Sequence, residues 1–317
     1  MNGLFKLQIP NYDYTIFRNG VFDSSGNIIA VGGAQKFGWE NPSNPGKVCN
    51  YEALIAKINS RGELVNSFKN LGYSIFPFTT QNTLGSTCTI LEAVSVDISD
   101  NTYVATSIST GSSSYFGIYI AKLDQNGNLV KDFGNNGIAK ILTSDNRYQI
   151  EIKKIILKDN KIYLAGRKLR ATPVAIGIGS PNSSKNPPEY IYDSMVIRLN
   201  IDGSVDENFG LKGIYLNSSS AKNNSINDLI VDDSGIIYIG GVDTSPNGKS
   251  VASILSLDSI GKPIPSFGQN GTYIYKYNSN NFISRSSVFG SNGTFFGIGI
   301  AENCNNCETH IRKFKLN

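Results

Sequence analysis

The sequence predicts an all-β fold: a five-bladed β-propeller of four-stranded antiparallel blades, closed by pairing the N-terminal strand with the C-terminal blade. Three observations predict it. A unit of roughly 60 residues recurs along the chain. Short apolar runs alternate with Asp, Asn and Gly turns inside each unit, as in antiparallel strands. The chain begins with one strand of a unit and ends with the other three.

Composition agrees with that class. Only 17% of the 317 residues are charged, against about 25% in an average soluble domain, and the polarity comes from Asn, Ser, Thr, Tyr and Gly. Gly and Asn tolerate positive φ, whereas Tyr, Thr, Ile and Val suit pleated surfaces. The length would ordinarily mean about two domains, but repeat folds lengthen by adding units, so a single domain over residues 1–317 is expected. A formal net charge of +4 without a Lys/Arg cluster argues against a nucleic-acid partner. No apolar run has the length of a membrane span, and Met-Asn-Gly-Leu-Phe-Lys carries no signal-peptide core. The expectation is a soluble monomer without membrane insertion and without a cofactor.

The repeat is clearest at its end. Ile55-Ala56-Lys57-Ile58-Asn59 leads through Gly62 to Phe68; Ile120-Ala121-Lys122-Leu123-Asp124 leads through Gly127 to Phe133-Gly134 and Gly137. Val196 to Asn200 leads through Gly203 to Phe209-Gly210, and Leu255 to Asp258 leads through Gly261 to Phe267-Gly268. The phenylalanines recur at unequal intervals, so insertions enter the loops of a constant unit. Front halves match as well: Val21 to Gly33 parallels Ile230 to Gly241, with weaker copies near Val94, Ile155 and Val288. Each unit reads as strands a, b, c and d. The blades are placed at about 14–78, 90–144, 150–217, 225–278 and 283–317, the last completed by a strand over residues 2–9. That strand matches Asn136 to Ile141 in type and phase, and closure removes exposed edges.

The motifs Asp-x-x-Gly-x-Ile, Ala-Lys-Leu-Asp-x-x-Gly-x-Leu and Asp-x-Phe-Gly-x-x-Gly, best seen from Asp124 to Gly137 and Asp202 to Gly213, resemble the delta-60 repeat of bacterial β-propellers. The resemblance implies a propeller of bacterial origin, often at the cell surface or secreted, and implies no particular activity. On this reading the protein is secreted or surface-bound, its signal being absent from this chain.

Candidate sites follow from loop lengths. The a–b and c–d turns are tight, whereas the b–c loops (about 34–50, 108–116, 168–192, 242–250 and 302–308) and d–a loops (79–90 and 216–224) are long. Long loops on a rigid scaffold carry binding residues. Phe37, Trp39, Tyr51, Tyr115, Tyr190 and Tyr192 lie in or beside them. Such aromatics among Asn and Ser stack on sugar rings or anchor a protein partner; packing of the loops onto the blades is the plainer alternative.

Aligning the a-strands puts Arg18, Glu92, Lys153, Asp228 and Arg285 at equivalent positions near the central opening, with Glu151 close by. Glu92 and Asp228 would serve a glycoside-acting enzyme, which needs two carboxylates. Ion pairing with the basic members is the stronger expectation. His310, the one histidine, has no nucleophile motif near it. Cys49 and Cys88 fall at the same end of neighbouring blades and Cys304 and Cys307 are close in sequence, so disulfides or free thiols are expected rather than zinc, which needs more ligands. Asp124-x-Asn126-Gly127 superficially resembles a calcium loop but has Asn135 at the twelfth position, and a β-turn explains it better. The leading expectation is a non-catalytic binding or scaffold protein for a carbohydrate or protein ligand, with a glycoside-acting enzyme second.

Overall fold

A computed structural model describes residues 5–36, 51–69, 71–76, 89–109, 116–142, 150–170, 191–218, 223–244, 250–275, 282–290, 294–301 and 309–315. All regular structure among them is β-strand. The chain divides into two compact units, one comprising residues 1–164 and 198–206, the other residues 165–197 and 207–317.

The first unit contains two complete antiparallel meanders. One runs β1 (Tyr12–Phe22), β2 (Ile28–Lys36), β3 (Tyr51–Ile58), β4 (Tyr73–Phe76); the next runs β5 (Ala93–Val96), β6 (Thr102–Ser109), β7 (Phe116–Leu123), β8 (Ile138–Leu142). A third meander starts with β9 (Ile150–Lys158), continues through β10 (Lys161–Leu169) and β11 (Tyr192–Asn200), and finishes on β12 (Ile214–Asn217). In the second unit β13 (Asn223–Val231), β14 (Ile237–Thr244), β15 (Ser250–Leu257) and β16 (Thr272–Tyr275) repeat the pattern. A parallel bridge between Tyr192 and Asn223 links β13 to β11. Last come β17 (Phe282–Gly290), β18 (Thr294–Ala301) and β19 (Thr309–Lys315), a three-stranded sheet.

The strands form where local chemistry allows no better choice. β3 is buried on both faces through Ala53 to Ala56, and β11 through Asp193 to Leu199, as inner strands of stacked sheets must be. The outer strands β4 and β12 contain no fully buried residue. Turns between strands reuse one device. The side-chain oxygen of Asp23 accepts the N–H groups of Ser25 and Asn27, and Asp97, Asp124, Asp232 and Asp258 do the same two and four residues ahead. Together with Asn59, which accepts the N–H groups of Arg61 and Glu63, these Asx turns close the tight ends of the first, second and fourth meanders. In the first unit, Ile29, Val31, Ile55, Leu91, Val104 and Leu123 form one apolar cluster between the first two meanders.

Two features differ from expectation. Residues 5–9 form no strand, and the fourth strand expected from residues 2–9 beside β19 is not among the described pairings. Their packing gives the reason: Ile9 is buried with Ala34 and Leu54, the Phe5 ring lies 6.4 Å from that of Phe17, and Thr15 Oγ1 donates to the Leu7 carbonyl at 2.8 Å. This segment is held by the first meander through side chains rather than by a ladder. The second difference concerns the register of strand a, which determines the candidate site.

Candidate functional site

β1 carries a bulge: Phe17 pairs with Gly32 and Asn19 with Val31, leaving Arg18 without a partner residue. β13 bulges at Asn227, between the pairs Ile226–Gly241 and Asp228–Gly240, and β17 at Arg285. Glycine opposes the bulge because the strands approach closely there. A Cβ on Gly32 would lie 1.8 Å from the Ile16 carbonyl oxygen, and one on Gly241 2.0 Å from that of Ser225. The equivalents of Arg18 are therefore Asn227 and Arg285, which corrects the placement of Asp228. A bulge adds one residue to one strand, so a strand aligned by hydrophobic pattern is read one position out. Asp228 occupies the neighbouring paired position; it is 4% exposed and its carboxylate accepts the Leu229 N–H at 3.0 Å.

In the first unit Arg18 joins charges from the next two repeats. Glu92 has Arg18 Nε at 4.0 Å from one carboxylate oxygen and Lys153 Nζ at 4.0 Å from the other. Lys153 also reaches Glu151 at 3.3 Å. All four are partly exposed, so the cluster is an alternating strip of charge with solvent access and little net field. A general acid needs a raised pKa and a nucleophilic carboxylate needs an open approach. Glu92 instead has one cation 4.0 Å from each of its two oxygens.

The opposite end of each meander receives the long connections. There Tyr51 packs over β2, with its ring close enough that a Cβ on Gly33 would meet it at 3.1 Å. The Tyr12 hydroxyl donates to Glu52, and burial, followed by that carboxylate, raises the Tyr12 pKa. In the second unit Tyr192 stacks beneath Arg167, with the guanidinium carbon 4.0 Å from the ring centroid, a cation–π contact. Arg170 Nε donates to Asp193 at 2.9 Å, and Ser218 Oγ donates to the other Asp193 oxygen at 3.1 Å. Arg167, Arg170 and Asp193 escaped sequence reasoning; their signal was two arginines three residues apart immediately before the longest loop. Trp39, Tyr115, Tyr190, Phe37 and the cysteines Cys49, Cys88, Cys304 and Cys307 lie outside the described residues.

The second unit also holds a small recess lined by Ser194, Asn217, Ser225, Asp243, Ser253 and Thr272 together with the apolar Ile226, Ile239 and Leu255. Burial raises the Asp243 pKa, only partly offset by the Ser253 hydrogen bond. Burial, and then the Asp243 charge, pushes the Tyr215 phenol up to about 12. Among the described residues no three His, Cys, Asp or Glu side chains are grouped to hold a metal ion.

Together these features define a class: an all-β protein of repeated four-stranded antiparallel meanders, with tight Asx-turned ends and long connections at the other end. No protein-family model matches the chain, and no curated protein matches its sequence. Solved structures do resemble it. A levansucrase variant from B. megaterium aligns over 94% of this chain and 79% of its own at 11% identity, with a TM-score of 0.46. An endo-arabinase from Bacteroides thetaiotaomicron aligns over 98% of both chains at 10% identity and a TM-score of 0.43. A neuraminidase-like protein from a little yellow-shouldered bat isolate aligns over 96% of this chain and 84% of its own at 9% identity, with a TM-score of 0.39. Similarity at this distance transfers neither ligand nor activity.

Proposed function

We propose that the chain is a non-catalytic binding or scaffold protein of the delta-60 propeller type, which takes a carbohydrate or protein ligand on its long connections. The observation that carries this reading is the asymmetry of the meanders. One end is closed by self-satisfied turns, and the other receives every long connection, with Tyr192 and Arg167 at the base of loop 171–190. A ring on a guanidinium presents an aromatic edge and a forked donor together, a combination that suits sugar hydroxyls or a protein anchor. The state of the carboxylates supports it as well: Glu92 lies between two cations, and the bulge of β13 falls on Asn227 rather than on a carboxylate.

The reading includes a five-bladed ring, closure by residues 2–9 against β19, and a secreted or surface location. Glycan-array and pull-down assays with Trp39→Ala and Tyr192→Ala are the direct test. Loss of at least tenfold in apparent affinity is expected for one of the two, whereas retention by both variants would move the site away from these connections. The second reading, a glycoside-acting enzyme, is favoured only by the solvent access of Glu92. Glycoside turnover abolished by Glu92→Gln would revive it.

A further inference from the structure

Adjacent repeats are joined by one recurring contact. The phenylalanine ending each of the first three repeats lies under the glycine of the next c–d turn. A Cβ on Gly127 would sit 2.7 Å from the Phe68 ring, one on Gly203 3.0 Å from that of Phe133, and one on Gly261 2.8 Å from that of Phe209. The residue after each phenylalanine then donates its N–H to the carbonyl before that glycine: Lys69 to Asn126 at 3.0 Å, Gly134 to Asp202 at 2.8 Å, Gly210 to Ile260 at 2.8 Å. These three glycines are buried, and Phe68, Phe133 and Phe209 are 1%, 2% and 0% exposed.

The c–d turn of the first repeat has the same build. Asn59 Oδ1 accepts the N–H groups of Arg61 and Glu63, and Gly62 has φ 76°, against 79°, 91° and 81° at the occupied turns. Yet Gly62 is exposed, and among the described residues nothing lies within 4 Å of where its Cβ would be and no N–H donates to the Arg61 carbonyl. We infer that the Asn59–Glu63 turn is a binding site for a protein segment that presents a phenylalanine and the backbone N–H of the residue after it, seated as Phe133-Gly134 seats on Gly203. The ligand chemistry is read from three filled examples in the same chain, and the turn is preorganised, so little ordering opposes binding. The site lies at the end of the first meander opposite the long connections and is independent of the proposed ligand site there.

The probe is a peptide with the sequence of residues 130–137, titrated into the full chain labelled with ¹⁵N. Saturable shifts of the Arg61, Gly62 and Glu63 amides are expected, with a Kd in about the millimolar range, as one aromatic ring and one hydrogen bond permit. The same peptide carrying Phe133→Ala should lose the effect, and Gly62→Ala should weaken it at least fivefold, because a methyl group fills the ring's place. Absence of saturation, or equal shifts from the alanine peptide, overturns the inference. Shifts of the same amides on concentrating the protein alone would assign the turn to a second copy and overturn it too.

Discussion

Asp23 and Lys57 meet at 2.8 Å, and Asp97 and Lys122 at 4.0 Å, so the lysine of the Ala-Lys motif on strand c reaches the aspartate of the a–b turn. In the third repeat Arg198 and Lys161 both pair with Asp206 instead, at 2.9 Å and 2.8 Å, because β9 and β10 are joined through Asp159-Asn160 without the longer Asx turn. In the fourth repeat Ser256 stands where Lys57, Lys122 and Arg198 stand in the first three. Burial would raise the Asp23 pKa, but hydrogen bonds from Lys57 and Asn27 and the Lys57 charge outweigh it, and the carboxyl lies below its ordinary value. That contribution is present above the ordinary carboxylate pKa and is lost as pH falls through the lowered one. Asp243 has the opposite sign. Its folded pKa is raised by burial, so the folded state holds the proton longer, and stability falls as pH rises from the ordinary carboxylate pKa through the folded one. Asp243→Asn should therefore raise the melting temperature at pH 7 and leave it nearly unchanged at pH 3. Calorimetric scans at both values read the difference, and an equal change at both would mean that packing, not charge, governs the site. Both aspartates are plain in the sequence, but their opposite titration is not, since it depends on which side chains the fold brings to each.

At the scale of the element, the turns were legible and the bulges were not. Asx-x-x-Gly specifies an Asx turn because the side-chain oxygen and the two N–H groups it binds lie within five residues, and positive φ at Gly62, Gly127, Gly203 and Gly261 favours glycine. The bulge at Asn227 leaves no comparable local mark, and the reading of Asp228 was one residue out for that reason. The turn glycines also differ in a way that substitution exposes. Gly203→Ala meets both an unfavourable φ of 91° and the Phe133 ring, and should cost about 3 kcal/mol. Gly62→Ala meets only the backbone penalty, about 1 kcal/mol. Urea unfolding of the two variants side by side measures the gap. Equal losses would mean that the ring contact carries no energy.

At the scale of the whole molecule, closure of the ring is the open structural proposal. Residues 5–9 already hold to the first meander through Ile9, Leu7 and Phe5, so removing all of them would weaken that meander whether or not a ring closes. Deleting residues 1–4 spares Phe5, Leu7 and Ile9 and removes the first three residues of the closing strand. If those residues pair with β19, the melting temperature should fall by about 5 °C or more, the loss of several ladder hydrogen bonds and one edge. A truncated chain that melts within a degree of the full one would show that closure is made some other way.

By itself the sequence determined the strand class, the four-strand rhythm and the turn chemistry, because each is set by residues within a few positions of one another. Alternating apolar runs can be buried only as strands, and Asx-Gly segments can only turn. Tertiary structure alone decided that Tyr192 carries Arg167 and that Gly62 is the one c–d turn glycine among the described residues left without a phenylalanine. Each of these turns on contacts between residues far apart in the chain, where a single bulge or an unfilled neighbour changes the outcome without changing any local motif.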